Sequence, residues 1–316
     1  MATTLFLGVD GGGSRTTVVI GDEAGHIVAR VEGGPTNLHS VGAESALHTL
    51  GQIIDQALTG LGVQRPRVRV ACLGMAGYGR PAERLALRRW AAGVHLAERV
   101  LLVNDADLVL AAGTPAGWGL ALIAGTGSLC CGRAPGGAGA RAGGWGYLLG
   151  DEGSGYSIGL AALRAIVRAA DGRGPAPAFA PAVLAALPAH SEEELIPWVY
   201  RSPIPRSQIA ALAPLVGEAA AGGDPMAEAI LCAAAEDLAQ LAVTVARRLG
   251  LSGQAVPCAL GGGLLVHMPA LARGALQAAA DDGAVLAPVT CVEDPARGAL
   301  RLARDEVPAP EDADRE

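Results

Sequence analysis

The chain contains no lysine; all 24 of its basic residues are arginine. That absence excludes a GK[ST] phosphate loop and the lysine clamp of protein kinases. Any nucleotide must therefore be held by backbone amides, Ser/Thr hydroxyls, a metal ion and arginine. Basic residues are also too few to balance the 31 acidic ones, and the formal net charge is −7. This argues against nucleic acid or an anionic membrane surface as a partner. No uncharged apolar run reaches membrane-span length. The N-terminus has no basic region, and Asp10 arrives too early for a signal-peptide core. The six cysteines show no C-x-x-C spacing and the six histidines no H-x-x-x-H spacing, so a zinc site is not expected. The cysteines fall mostly in apolar contexts and read as buried thiols of a reducing, cytoplasmic compartment. What the chain does have is 316 residues, 51% of them hydrophobic, enough for two domains and a sizeable core.

It also has glycine turns that follow strands. The apolar run 5–9 leads into Asp10-Gly11-Gly12-Gly13-Ser14, and the β-branched run 16–20 follows. This reads as a strand–turn–strand hairpin. Its glycines can turn N–H groups toward an anion, and Asp10 can hold a cation directly or through water. About 115 residues later the pattern returns, as 120–123, then Gly125-Thr126-Gly127-Ser128, then 129–132. In both places a third short strand follows a further turn. Two similar halves facing each other would put two phosphate-binding hairpins on opposite sides of one cleft. A third glycine run, Gly261-Gly262-Gly263, follows the apolar segment 256–260 and could admit an adenine or ribose.

The order expected along the chain is βββαβαβα in the first half, with a crossing near Gly113–Gly117. A mixed sheet covered by helices follows from that order. Helices are expected at 43–60, 81–92, 157–170, 181–187, 192–200, 206–221, 269–280 and 295–304. A long helix runs to Arg248 from Asp224-Pro225, an N-cap followed by proline at the first helical position. The expected division is 1–115, 116–306 and an acidic, disordered tail 307–316. The final helix could pack back on the first domain.

These motifs together resemble the N-acetylglucosamine kinases of the BadF/BadG/BcrA/BcrD ATPase family, within the sugar kinase/Hsp70/actin superfamily. The resemblance rests on residues 8–16, Pro35-Thr36-Asn37, Asn104-Asp105-Ala106, 125–128, the block 143–156 (GGWGYLLGDEGSGY) and 261–263. It implies two actin-like, ribonuclease H-like α/β domains, with ATP and Mg²⁺ as cofactors, a small sugar as substrate and a homodimer. Asp105 ends a strand; on the residues alone it could simply cap the following helix. The resemblance makes it the general base for the sugar's 6-hydroxyl, a role a single carboxylate can fill. Asp10 would hold Mg²⁺. Gly11, Gly12, Gly13, Ser14, Gly125, Thr126, Gly127 and Ser128 would take the phosphates, with Ser14, Thr126 and Ser128 donating hydroxyls. Gly261, Gly262, Gly263 and Ala210 would meet the nucleoside. Asn37, Gly144, Trp145, Asp151 and Asp105 would line the sugar site. Glu152 stays open between a structural and a catalytic role.

Two other classes compete. One is the family's ATPase activator of 2-hydroxyacyl-CoA dehydratases, which needs cysteines for an iron–sulfur cluster. Those activators carry a cysteine just before the second phosphate turn, whereas residues 119–124 here read Gly-Leu-Ala-Leu-Ile-Ala. The other is a nucleotide-dependent regulatory protein. Asp105 and the Trp145 loop speak against it, as does the lack of the cysteine-rich zinc loop usual in repressor–kinase relatives. Among kinases, glucosamine, N-acetylmuramic acid and glucose are alternative acceptors.

Overall fold

The computed structural model describes residues 4–306, except 14, 63–66, 77–80, 190, 202 and 204–205. Ser14 and the tail 307–316 therefore lie outside the described residues. In chain order the first elements are β1 (Leu5–Gly11), β2 (Thr16–Gly21), β3 (Ile27–Gly33), α1 (Leu38–Val41) and α2 (Ala43–Thr59). Next come β4 (Val68–Met75), α3 (Pro81–Gly93), β5 (Arg99–Asn104) and α4 (Asp105–Gly113). The strand pattern then restarts with β6 (Gly119–Ala124), β7 (Ser128–Arg133) and β8 (Gly139–Gly143). A helical stretch follows: α5 (Gly155–Ala170), α6 (Ala180–Ala185), α7 (Leu195–Val199), α8 (Arg206–Ala210), α9 (Ala213–Ala221) and α10 (Pro225–Arg248). The chain closes with β9 (Val256–Gly261), α11 (Gly263–His267), α12 (Pro269–Asp281), β10 (Leu286–Cys291) and α13 (Pro295–Asp305).

Two compact units result. One holds residues up to Pro115 together with those from Asp294 onward, the other Ala116–Glu293. The first has a five-stranded sheet ordered β3-β2-β1-β4-β5, and the second repeats it as β10-β9-β6-β7-β8, read from the opposite edge. In each, the leading three strands are antiparallel and the later two run parallel to the first strand. β1 and β2 are buried on both faces, which explains their near-continuous apolar and β-branched runs instead of a strict alternation. One face of the first sheet carries Leu7, Val9, Val18 and Ile20 into a core with Leu50, Ile53 and Ile54 of α2. The other carries Phe6, Val19, Val70 and Cys72 against Leu108 of α4 and Ala296, Ala299, Leu300 and Ala303 of α13.

The last helix thus belongs to the first sheet. A β-carbon at Gly8 would come within 2.6 Å of the Leu300 backbone nitrogen, so only glycine lets α13 lie this close to β1. In the second unit the core gathers Leu120, Leu122 and Cys130 of the sheet with α5, α10 and α12. α10 is long and apolar enough to cross a membrane by length and composition alone. Its buried Leu231, Leu238, Ala242 and Val245 join that core instead. The expected helix 206–221 is broken into α8 and α9, with Pro214 at the start of the second. The cysteines divide: Cys72, Cys130 and Cys258 are buried, whereas Cys232 and Cys291 are exposed, contrary to the expectation of burial for the set.

Candidate active site

The predicted site residues fall into two groups, one in each unit. In the first unit, β1 delivers Asp10 at its C-terminal end and β5 delivers Asp105 just past its own, with β4 paired to both strands. The carboxyl ends of parallel strands are where α/β sheets present ligand-facing groups. Asp10 is half-buried. Burial, above all, pushes its pKa to about 6; the Asp105 and Asp294 carboxylates add to the rise, and Arg15 and Arg30 oppose it. Asp105 is raised as well, chiefly by burial and further by Asp107, against the backbone N–H of Ala106 that donates to its Oδ1 at 2.9 Å.

The capping reading of Asp105 does not hold. Asn104 occupies the N-cap of α4, and Asp107 accepts the Asn104 backbone N–H at 3.1 Å, leaving Asp105 at the first helical position. Asp294 precedes α13 and pairs with Arg30 at 2.7 Å and Arg297 at 3.4 Å.

The glycine run 11–13 serves close packing more than backbone freedom, since none of the three has a positive φ. A β-carbon at Gly11 would meet the Met75 sulfur at 2.5 Å and Thr36 Oγ1 at 2.7 Å. The Gly12 N–H donates to the Arg15 carbonyl at 3.0 Å, so it is spent inside the hairpin instead of being offered to an anion. The Gly12 carbonyl accepts from the Thr36 N–H at 3.2 Å. Thr36 and Thr16 share a fully buried hydroxyl–hydroxyl hydrogen bond of 2.8 Å. Asn37, the next residue, is thereby tied to the hairpin; Gly13 lies opposite its Nδ2, 4.0 Å from where a β-carbon would stand. Neither threonine of this pair is singled out by the sequence reading, although both sit inside motifs that carry the resemblance.

In the second unit the turn 125–128 is sewn to the segment behind it. Gly155 N–H donates to the Gly125 carbonyl at 2.8 Å, and Tyr156 N–H to the Thr126 carbonyl at 3.3 Å. Ser128 is buried; its N–H donates to Asp151 Oδ1 at 3.3 Å and its hydroxyl to the Glu152 carbonyl at 2.5 Å. The expectation that Ser128 offers its hydroxyl to phosphate therefore fails, because that hydroxyl satisfies a backbone carbonyl. Thr126, by contrast, is exposed. Gly127 lies on the Asp151 carboxylate, which a β-carbon there would approach to 2.8 Å.

Asp151 is 5% exposed and adopts a left-handed φ of 62°. Burial raises its pKa, opposed by the Ser128 N–H and by Arg206, whose guanidinium stands 3.7 Å from Oδ2. The carboxylate is thus built into the turn as well as being a sugar candidate. Glu152 contributes its carbonyl to that turn while its side chain is exposed. Trp145 is no core anchor: it is 69% exposed between Gly144 and Gly146, both with positive φ, and Arg141 lies over its ring at 5.7 Å.

A cavity of about 730 Å³ opens beside this turn, within the 300–1,000 Å³ usual for small-molecule sites. The expected residues Gly125, Thr126, Ala210 and Gly263 line it, together with Ser207 and Glu218. Small residues form most of its wall, leaving flat surface suited to a planar ring. Gly261 and Gly262 do not line it. Gly261 ends β9 inside the sheet, and Gly262, at φ 80°, packs so tightly on the Ala124 carbonyl that a side chain would collide. Beyond Ala210, the cavity's α8–α9 side went unread because small residues at helical spacing look the same whether they pack a core or line a site. The short α11 was missed too, though glycine before an apolar run is a legible helix start.

No group of three or more His, Cys, Asp or Glu side chains among the described residues could enclose a metal. Mg²⁺ does not need one; it is commonly held by one or two carboxylates plus phosphate oxygens. Asp10, half-buried and close enough to Asp105 to feel its charge, suits that arrangement.

Comparison with known proteins follows the same lines. The chain is 34% identical over 259 residues to an N-acetylmuramic acid/N-acetylglucosamine kinase of Clostridium acetobutylicum, covering 82% of this chain and 85% of that one. It is 36% identical over 265 residues to an N-acetyl-D-glucosamine kinase of Dictyostelium discoideum, covering 79% and 82%. A crystal structure of a Chromobacterium violaceum protein superposes with a TM-score of 0.72 at 30% identity, covering 96% of this chain and all of that one. The profile of the BadF/BadG/BcrA/BcrD ATPase family matches residues 7–303, and the chain belongs to that family.

Proposed function

We propose that the protein is an ATP-dependent amino-sugar kinase that phosphorylates the 6-hydroxyl of N-acetylglucosamine, giving N-acetylglucosamine 6-phosphate and ADP. What carries this reading is Asp105, a carboxylate at a strand end, raised in proton affinity and relieved of helix capping by Asn104 and Asp107. The activities named for the two kinases of C. acetobutylicum and D. discoideum support it.

In this reading Asp105 takes the 6-hydroxyl proton as that oxygen attacks the γ-phosphorus, and the bond to the bridging oxygen of ADP breaks. Asp10 would hold Mg²⁺, which would neutralise charge on the phosphate oxygens. Thr126 donates its hydroxyl to a phosphate oxygen, and Gly125 lets the phosphates approach the backbone, while Gly127 makes room for the Asp151 carboxylate behind the turn. The cavity beside Ala210 and Gly263 takes the adenosine. Asn37, Gly144, Trp145 and the lone pairs of Asp151 not used by Ser128 and Arg206 hold the sugar. The exposed Trp145 face supplies an apolar wall for a pyranose ring.

Action on N-acetylmuramic acid as well is a second reading, favoured by the dual name of the C. acetobutylicum relative. A coupled ADP-release assay with N-acetylglucosamine, N-acetylmuramic acid, glucosamine and glucose decides between them. The proposal expects the highest kcat/KM with N-acetylglucosamine, and no turnover of any of the four would overturn it.

A further inference from the structure

We propose that Arg206 is a positioning residue that couples nucleotide in the cavity to the sugar loop around Trp145. It does so by gripping the Asp151 carboxylate and the Tyr147 ring from the start of α8. The inference rests on the kinase reading above and extends it to a residue outside every motif in the chain.

Arg206 opens α8, and two residues of that short helix, Ser207 and Ala210, line the cavity. Its guanidinium carbon lies 4.5 Å from the centroid of the Tyr147 ring, within the range of cation–π attraction. The same guanidinium stands 3.7 Å from Asp151 Oδ2. Asp151 in turn accepts the Ser128 N–H and supports Gly127, so it braces the second phosphate turn. Tyr147 packs edge-on against Tyr156 of α5 at 5.4 Å and sits two residues from Trp145. One cation therefore touches the residue beneath the phosphate turn and the aromatic ring of the sugar loop, from an element that forms a cavity wall.

That element has little room to shift against α5, whose first residue, Gly155, lines the same cavity. A β-carbon at Gly159 of α5 would collide with the Ile209 carbonyl of α8, so the two helices already touch backbone to backbone. Nucleotide pressing on Ser207 and Ala210 from the cavity is then resisted by α5, and it fixes where Arg206 stands. The groups facing Asp151 are the Ser128 N–H, Arg206 and, as an opposing charge, Glu152. Arg206 is the one cation acting on it among these. The Arg206 side chain is 43% exposed while that of Asp151 is 6% exposed. The pair can therefore be rearranged at modest cost on the arginine side, as a coupling device requires, instead of being locked in the core.

The prediction is a thermodynamic linkage. Titration calorimetry should show N-acetylglucosamine binding about tenfold tighter when the protein is saturated with a non-hydrolysable ATP analogue. By reciprocity, the sugar should tighten the analogue equally. Arg206→Gln should reduce this coupling to about twofold or less, with each ligand alone binding within about threefold of the parent and with an unchanged melting temperature. Arg206→Lys, which keeps charge but loses the planar stack, should restore part of the coupling. Tyr147→Leu should remove part of it while leaving the ion pair. Arg173→Gln, which breaks an exposed pair with Asp171 on the same unit, is the control and should leave the coupling at the parent value. Full coupling in Arg206→Gln overturns the inference, as does an equal loss of both single-ligand affinities with a lowered melting temperature. If the glutamine variant does not fold, full coupling in both Arg206→Lys and Tyr147→Leu overturns it. A parent that turns over N-acetylglucosamine without any coupling refutes the Arg206 inference alone. A parent that turns over none of the four sugars refutes the kinase reading instead.

Discussion

At the scale of single residues, the site is a set of carboxylates held where their charge is uncomfortable. Asp105→Asn keeps shape and most hydrogen bonding but cannot take a proton. Turnover should fall by roughly 10²–10⁴, with sugar and nucleotide affinities unchanged within a few-fold. Because Asn104 and Asp107 cap α4, helix stability should be little affected; a kcat within about threefold of the parent would remove Asp105 from the base role. Asp10 makes a stability prediction. Its pKa rises from 3.8 to about 6, so the folded protein favours the protonated acid. A raised carboxylate stabilises fully below its unfolded pKa, and that contribution is lost as pH climbs through the folded value. Asp10→Asn should therefore melt higher than the parent at pH 7.5 without added metal, and the two should converge near pH 4. A variant that melts lower at pH 7.5 would show that the Asp10 charge is stabilised by contacts that outweigh its burial. The motif around Asp10 and Asp105 was legible because a carboxylate after a strand is a local pattern. Their proton affinities were not, because burial depends on residues far along the chain.

At the scale of elements, the turn between β6 and β7 divides its two hydroxyl residues by burial. Ser128 points inward and completes the hydrogen bonding of the Glu152 carbonyl, while Thr126 is exposed and lines the cavity. Ser128→Ala should cost about 1–2 kcal/mol of stability, as a carbonyl loses a buried partner. Nucleotide affinity should stay within about threefold. Thr126→Ala should do the reverse, leaving the melting temperature unchanged and weakening nucleotide binding about tenfold. Calorimetry and thermal melts on both variants test the pair, and a swap of the two phenotypes would reject this division of labour. Both residues carry the same functional group two positions apart, so their sequence context is nearly the same. Thr126 lies in the turn before β7, whereas Ser128 opens β7 and is met by the Asp151 carboxylate and the Glu152 carbonyl; those distant partners separate the two. The glycine run 261–263 divides in the same way: Gly262 packs on a carbonyl and Gly263 lines the cavity.

At the scale of the whole molecule, the candidate base and metal ligand lie in one unit and the candidate nucleotide cavity in the other. The proposed reaction needs both sets on one phosphoryl group, and water must be kept from it. Small-angle scattering should therefore show a more compact form at saturating N-acetylglucosamine than without it. Equal radii of gyration in the two states would count against closure. The chain passes from the first unit at Pro115, and Arg301 of α13 donates to the carbonyls of Ala111 at 2.9 Å, Thr114 at 3.2 Å and Pro115 at 2.6 Å. Bending should thus fall after the clamp, where Gly117 and Gly119 have positive φ. Replacing Gly117 with alanine, strained at that φ, should lower kcat and alter KM together.

The repeat of three strands with a glycine turn, the Asn-Asp after β5 and the aromatic glycine loop could all be read without coordinates, and with them the fold and the family. Each is a short run in which turn chemistry, strand period and a reactive side chain occur within about ten residues, so local rules suffice. Tertiary structure decided that α13, which the sequence left free to pack back on the first domain, joins its sheet, and it alone decided that Ser128 is a structural hydroxyl and that Arg206 reaches Asp151 across the helical stretch between them. The reason is physical: propensity and periodicity act along the chain, whereas burial, hydrogen-bond partners and ion pairs are settled by residues that meet only after folding.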